Sequence, residues 1–226
     1  HQGIRCTSCE GEVVMLRMVN GRLCVFLTSC QEQSGMLCLP RVRVDAQQDR
    51  NLDSAVRRGI SELTDAVPQY VEQIKTIGNA TRYPEKWMIA VVHVALFNDR
   101  VCASPNDWYP CDDLASRSKL AYDHCGVVAS CVKRLRSKAK YTSLPLHLAQ
   151  PEFSLGEAQA VYERLLMANL DKKSFRRRLL DADIVMPLNK TRRTSSRPAQ
   201  LYTLKQGHIV HHFSRNMLGN MKGVTR

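Results

Sequence analysis

Apolar residues crowd positions 13–18 (Val13, Val14, Met15, Leu16, Met18) and then alternate with polar ones at Leu23, Val25 and Leu27. Asn20-Gly21 separates the two runs, and both residues tolerate the positive φ that a two-residue turn needs, so residues 13–28 are predicted to form a β-hairpin. Leu52, Ala55, Val56, Ile60 and Leu63 recur at helical spacing, with Arg57, Arg58 and Glu62 between them, which predicts a helix over 51–64. Met88 to Phe97 is a β-branched, apolar run, interrupted only by His93, and reads as a central strand. Pro105, Asn106, Pro110 and Asp112 mark 98–115 as loop. A helix follows over 119–140, with Leu120, Val127, Val128, Cys131 and Leu135 as its apolar stripe and basic residues in its last turns, where cations suit the helix dipole. Pro145 to Pro151 ends it and predicts a domain boundary, giving domains 1–144 (with a linker helix at about 117–140) and 145–226.

The second domain carries the sharper local chemistry. Ser154-Leu155-Gly156-Glu157 is a capping box, with Phe153 and Ala158 placed as its hydrophobic staple. A second helix starts a few residues after the first ends, with Asp171 as its N-cap and Leu170 and Phe175 as a staple. Phe175, Leu179 and Ala182 share one face. Lys173, Ser174 and Arg177 share the opposite face, with Lys172, Arg176 and Arg178 on the flanks. Two short helices with a tight turn, the second basic near its start, describe a helix-turn-helix whose second helix enters the major groove of DNA. Arginine suits base reading because its planar fork grips guanine O6 and N7 together, while lysines hold phosphates. Strand-like 184–186 and 201–204 flank a basic loop, 189–197, containing Arg193 and Arg197, the form of a wing.

Charge strengthens that reading. The 226-residue chain carries a net +12; residues 151–226 hold 14 Lys and Arg against 6 Asp and Glu, or +8, leaving +4 for the first 150. A basic balance concentrated in one terminal third points to a polyanion partner. No apolar run is long enough to cross a bilayer, and no membrane partner is expected. The nine cysteines are odd in number and several lie in apolar periodic segments, which suits reduced thiols in a cytoplasm rather than a disulfide framework. Cys6-x-x-Cys9 lacks a second pair at zinc-finger spacing and is read as structural.

Leu39-Pro40-Arg41-Val42 and, later, Arg58-Gly59-Ile60-Ser61-Glu62-Leu63-Thr64-Asp65 resemble a decayed Nudix box. A working box has Leu-Pro-Gly-Gly and then a helix bearing Arg-Glu-aliphatic-x-Glu-Glu-x-Gly. Here Glu62 is the one helix glutamate retained, with Gly59 and Leu63 in the other two places, and Arg41-Val42 replaces the glycine pair. Pyrophosphate hydrolysis on this scaffold needs Mg²⁺ held by carboxylates on one helix face, so the domain is expected to be non-hydrolytic, with no catalytic residues, metal or cofactor.

Further segments resemble the NrtR family, the Nudix-related transcriptional regulators of NAD metabolism. They are residues 70–78, Arg82-Tyr83-Pro84-Glu85, Leu120-Ala121-Tyr122-Asp123-His124, 170–178 and Arg197-Pro198-Ala199-Gln200-Leu201-Tyr202. The resemblance implies an α/β fold, a Nudix-type α/β/α sandwich followed by a winged helix-turn-helix. It further implies a homodimer on a palindromic operator, and repression of NAD-metabolism genes relieved by ADP-ribose or a related nucleotide or sugar. Carried over by position, Arg82, Arg41 and Glu62 are candidate effector contacts. Lys172, Lys173, Ser174, Arg176, Arg177, Arg193 and Arg197 are candidate DNA contacts.

Two other readings stay open on sequence. One is a Nudix hydrolase acting on ADP-ribose or another nucleoside diphosphate, using Glu62 with Asp45, Asp49 or Asp53; Mg²⁺-dependent AMP release distinguishes it. The other is a protein-interaction module with a basic face, which predicts no discrimination among DNA sequences.

Overall fold

The computed structural model describes residues 8–64, 66–83, 87–98, 107–116, 120–193, 198–207 and 210–219. Asp65, Pro84, Glu85, Lys119, Arg197 and Cys6, and with them the tip of the expected wing, lie outside the described residues. The chain divides into two compact units, His1–Val132 and Lys133–Arg226.

The first unit is built on a mixed sheet. Strand β1 (Ser8–Val19) pairs antiparallel with β2 (Arg22–Phe26) across a turn in which Asn20 and Gly21 have φ of 48° and 73°, the hairpin predicted from the Asn-Gly signal. Two short strands, β3 (Thr28–Ser29) and β4 (Leu37–Cys38), form a small separate ribbon, and β5 (Arg41–Arg43) returns against β1. Helix α1 (Leu52–Thr64) follows, with the Asn51 side chain accepting from the Ser54 amide. Strands β6 (Tyr70–Gly78) and β7 (Met88–Phe97) complete the other side of the sheet, and β7 lies parallel to β1. Residues 13–16 of β1 are all buried, as expected of an interior strand covered on both faces. Val13 and Met15 pack with Val42, Val56 and Ile60 on the α1 side, so the alternation of the strand sends Glu12 to the opposite face.

Two expectations in this unit need correction. Residues 98–115 are not loop throughout, because β8 (Trp108–Pro110) pairs with β2 and its indole packs edge-on against Phe26 and Phe97. The next helix begins later than the apolar stripe suggests: α2 is His124–Ala139. Leu120 is used instead in a bridge to Leu37, and Tyr122 turns the chain at φ 56° just before the helix starts.

The second unit holds a helix pair on a three-stranded sheet. A 3-10 turn (Leu144–Leu148) is buried, and β9 (Phe153–Ser154) leads into α3 (Leu155–Leu166). The capping box is complete: Glu157 N donates to Ser154 Oγ, and Ser154 N to Glu157 Oε2. Met167 closes the helix at φ 53°. Side chains span the turn that follows, with Leu170 N donating to Glu163 and Gln159 Nε2 to the Leu170 carbonyl. Helix α4 (Lys172–Asp181) starts on Asp171, whose carboxylate accepts from Ser174 N at 2.8 Å. Phe153, Ala158, Tyr162, Phe175 and Leu179 meet in one core, and the rings of Tyr162 and Phe175 pack edge to face. Strand β10 (Val185–Arg192) extends beyond the expected residues 184–186 and takes in residues 189–192, read earlier as loop. It pairs with β11 (Ala199–Leu204), which pairs in turn with β9. Cross-strand pairing orders Thr191 and Arg192 against Gln200 and Ala199, which residue type alone does not signal.

Candidate nucleic-acid interface and sensor pocket

Helix α4 places five basic side chains within ten residues, against one acid, Asp181. Phe175 and Leu179 fix its inner face in the core, which leaves Lys172, Lys173, Arg176 and Arg177 exposed. None of those four makes an ion pair or side-chain hydrogen bond among the described residues. Lys172 and Lys173 sit in the first turn, where the helix dipole is already positive and acidic residues are the stabilising choice. The Asp171 carboxylate at the N-cap is the acid at this end, and its hydrogen bonds from Ser174, helped by the attraction of Lys173 and Arg177, lower its pKa, so the basic side chains outnumber the acid at the start of α4.

The two-stranded ribbon that follows is tied down near its turn end. Arg192 pairs with Glu157, the acid of the capping box, and reaches the Glu152 carbonyl, while Lys190 Nζ lies 2.7 Å from Glu152 Oε1. These anchors were missed in the sequence because they join residues 35 and 38 apart. Arg193, just past β10, is exposed.

In the first unit a polar cluster is buried beside β1. Arg82 donates to Glu12 at 2.7 Å through Nη2 and to Asp123 at 2.8 Å through Nε. The Tyr83 hydroxyl donates to the other Glu12 oxygen. Leu39 N donates to Nδ1 of His124, so the neutral ring carries its proton on Nε2, 3.6 Å from Glu12. Burial pushes the Glu12 carboxyl up, but the facing His124 ring and the hydrogen bonds of Arg82 and Tyr83 outweigh it and hold it at about 2. Burial, reinforced by the Glu12 carboxylate, raises the Tyr83 phenol and keeps it protonated. Arg82 Nη1 is buried without a hydrogen-bond partner among the described residues.

Arg41 belongs to the same neighbourhood. It pairs with Glu32, approaches Glu10 at 3.8 Å, and lies over the ring of Tyr122, which contacts the rings of Tyr83 and His124. The structure thus brings Arg41 and Arg82 to one aromatic group. Glu62 belongs elsewhere: it is exposed on α1 and bonded to Arg58, whose guanidinium also grips Asp49 and the Arg43 carbonyl. Glu12 and Asp123 were not singled out on sequence. An acid inside an apolar strand was the available signal for Glu12.

Gly59 and Val42, two positions of the expected box, meet in space. A Cβ on Gly59 would stand 2.3 Å from Val42 Cγ2 and 2.8 Å from Cγ1. Val42 therefore fills the space that a side chain at 59 would need. Gly59→Ala is expected to destabilise the protein by roughly 1–3 kcal/mol despite the helix propensity of alanine. A double-mutant cycle with Val42→Gly, followed by urea denaturation, should show coupling that removes most of this cost. Additive losses would mean that Val42 yields freely.

The family model for the NrtR DNA-binding winged helix domain matches residues 145–204. Over 176 residues, 75% of this chain and 70% of the relative, the chain is 36% identical to the ADPR responsive transcriptional repressor NtrR of Acinetobacter baylyi. The chain belongs to the NrtR family. NrtR of Shewanella oneidensis complexed with a 27mer DNA superposes with a TM-score of 0.85 at 32% identity, over 92% of this chain and 98% of that one. The NUDIX domain of the same protein complexed with ADP ribose matches at 26% identity and a TM-score of 0.52, over 58% of this chain and 90% of that one. A MutT/nudix family protein from Enterococcus faecalis shares the fold at 19% identity, with a TM-score of 0.70 over 91% of this chain and 90% of that one. The expected Nudix-type α/β domain followed by a winged helix is the architecture of this NrtR-family chain.

Proposed function

We propose that this chain is a DNA-binding transcriptional repressor that acts in the cytoplasm as a homodimer on a palindromic operator in NAD metabolism and is released by ADP-ribose or a related metabolite. The observation that carries the reading is α4: a capped helix, fixed in the core on one side, with four exposed basic residues on the other that make no ion pair among the described residues. The DNA-bound relative, matched over nearly its whole length, and the ADPR-responsive repressor support it.

In this reading residues 1–144 are the sensing domain and 145–226 the DNA-binding domain. Arg176, Arg177 and Ser174 meet base edges in the major groove, Lys172 and Lys173 hold phosphates, and Arg193 and Arg197 act from the wing. Arg41 and Arg82 are the effector contacts of the sensing domain, and Glu62, bonded to Arg58 on the exposed face of α1, lies apart from them. The sensing domain is non-hydrolytic because Gly59 and Leu63 supply no carboxylate and Glu62 and Asp49 are both engaged by Arg58.

The test is binding of the full chain to labelled duplexes from upstream of its own and neighbouring genes, with excess nonspecific competitor at physiological salt. Competitor-resistant binding released by ADP-ribose, without AMP formation in the presence of Mg²⁺, is the expected result. Loss of every fragment to the competitor would remove the repressor reading, and Mg²⁺-dependent AMP release would restore the hydrolase.

A further inference from the structure

The segment after β11 is a built part of the second unit. Ser143 N donates to the His211 carbonyl and His211 N to Ser143 Oγ. Phe213 N and Met217 N reach the carbonyls of Tyr141 and Lys140, both at 2.7 Å. Met217 is buried in the core, with Phe213 and Leu218 packed against it. Arg178 of α4 completes the attachment by donating to the Arg215 and Asn216 carbonyls. Residues 211–217 are thus held at both ends along the side of α4.

Between that segment and the last turns of α4 lies a cleft of about 480 Å³, lined by Arg177, Arg178 and Asp181 on one side and His211, Phe213 and Arg215 on the other. Its rim residues Arg177 and Arg215 are exposed. Three guanidiniums face a single carboxylate, and one of them, Arg178, is committed to backbone carbonyls. The excess positive charge sits next to the proposed base-reading face of α4, since Arg177 belongs to both. Arg178 fixes the backbone that carries Arg215, so the base of that side chain is positioned, and the guanidinium forks of Arg215 and Arg177 fit phosphate oxygens.

We propose that this cleft seats a phosphate of the DNA backbone, with Arg215 as its principal contact and Arg177 at its shared edge. The cleft lengthens the DNA footprint past the helix and fixes how far α4 turns in the groove. The proposal rests on the repressor reading. It adds a phosphate contact from a segment that the winged-helix match at 145–204 does not include.

The experiment compares wild type, Arg215→Ala and Arg215→Lys, full length, on an operator duplex and on a random duplex over a range of salt. Each neutralised phosphate contributes roughly 0.9 to the slope of log Kobs against log salt. Arg215→Ala is expected to lower affinity roughly fivefold on both duplexes and to flatten the slope by about 0.9, with Arg215→Lys restoring the slope. An unchanged slope and affinity would overturn the proposal, as would a loss confined to the operator, which is the mark of a base contact. A separate arm titrates inorganic phosphate at constant ionic strength while following the His211 ring by NMR. Saturable binding that Arg215→Ala abolishes, together with an unchanged DNA slope, would assign the cleft to a free phosphorylated compound and overturn the DNA reading. A wild type that does not prefer the operator would sink the repressor reading instead, while the random-duplex slope would still report on Arg215.

Discussion

Replacing Arg177 with alanine should weaken operator binding by about 1–3 kcal/mol per half-site, roughly 5- to 150-fold, and flatten preference at one base pair. The side chain is exposed on α4, opposite the face that Phe175 and Leu179 bury, so truncation leaves no core cavity and removes only a solvent-screened attraction to the Asp171 carboxylate. The melting temperature should therefore stay within a degree or two, as expected for a surface substitution. Fluorescence anisotropy on the operator and on single-base variants of it, at one fixed salt concentration, separates the two effects. A folded variant with unchanged affinity would mean that α4 does not read bases through this residue. A uniform loss across all sequences would recast Arg177 as a phosphate contact only.

Arg82→Ala should be the most destabilising single change in the first unit, at about 3–5 kcal/mol. The Arg82 and Glu12 side chains are 1% and 0% exposed, and removing the cation strands a carboxylate against Tyr83 and His124 with no charge to balance it. Glu12→Gln, which removes the charge and keeps the shape, should cost less. The pH dependence gives an independent check. The Glu12 carboxyl is held at about 2 in the folded protein, below its ordinary 4.5, so the stability it contributes is complete above 4.5 and is lost as pH falls toward 2. Without Arg82 that depression shrinks, and the gap in unfolding free energy between wild type and variant should narrow across this window. Guanidinium melts at pH 7, 5 and 3.5 read it; a gap that does not change with pH would place the cost in packing rather than in the ion pair.

Local signals were the legible part of this chain. Asn20-Gly21, the Ser154–Glu157 box and the Asp171 cap each involve residues no more than three apart, and each forms the structure its chemistry requires. The Nudix-type domain and the winged helix were legible too, through motifs in 39–65, 120–124 and 170–178. What stayed hidden depends on distant pairing. Strands β8 and β9 are three and two residues long, too short to carry a period, and exist because β2 and β11 offer them an edge. The first turn that α2 was expected to have is taken by the Leu37–Leu120 bridge. Glu12 and Arg82 are 70 residues apart, and the anchoring of residues 211–217 runs through backbone groups that any sequence carries. Arg41 and Arg82 are named from motif position, and the fold gathers them through Tyr122 and Tyr83; Glu62 shares the expected box with Arg41 but not its surroundings.

The Val42–Gly59 contact also bears on history. Any lineage with this pair that gains a carboxylate at 59 more easily sheds the isopropyl group at 42 first, because the reverse order passes through an overpacked intermediate. The order of substitutions is therefore constrained, and the intermediate that comes first has neither the tight packing of the present chain nor a new metal ligand. The gain of an acid at 59 thus begins with a step that selection has no reason to keep, so the pair behaves as a ratchet.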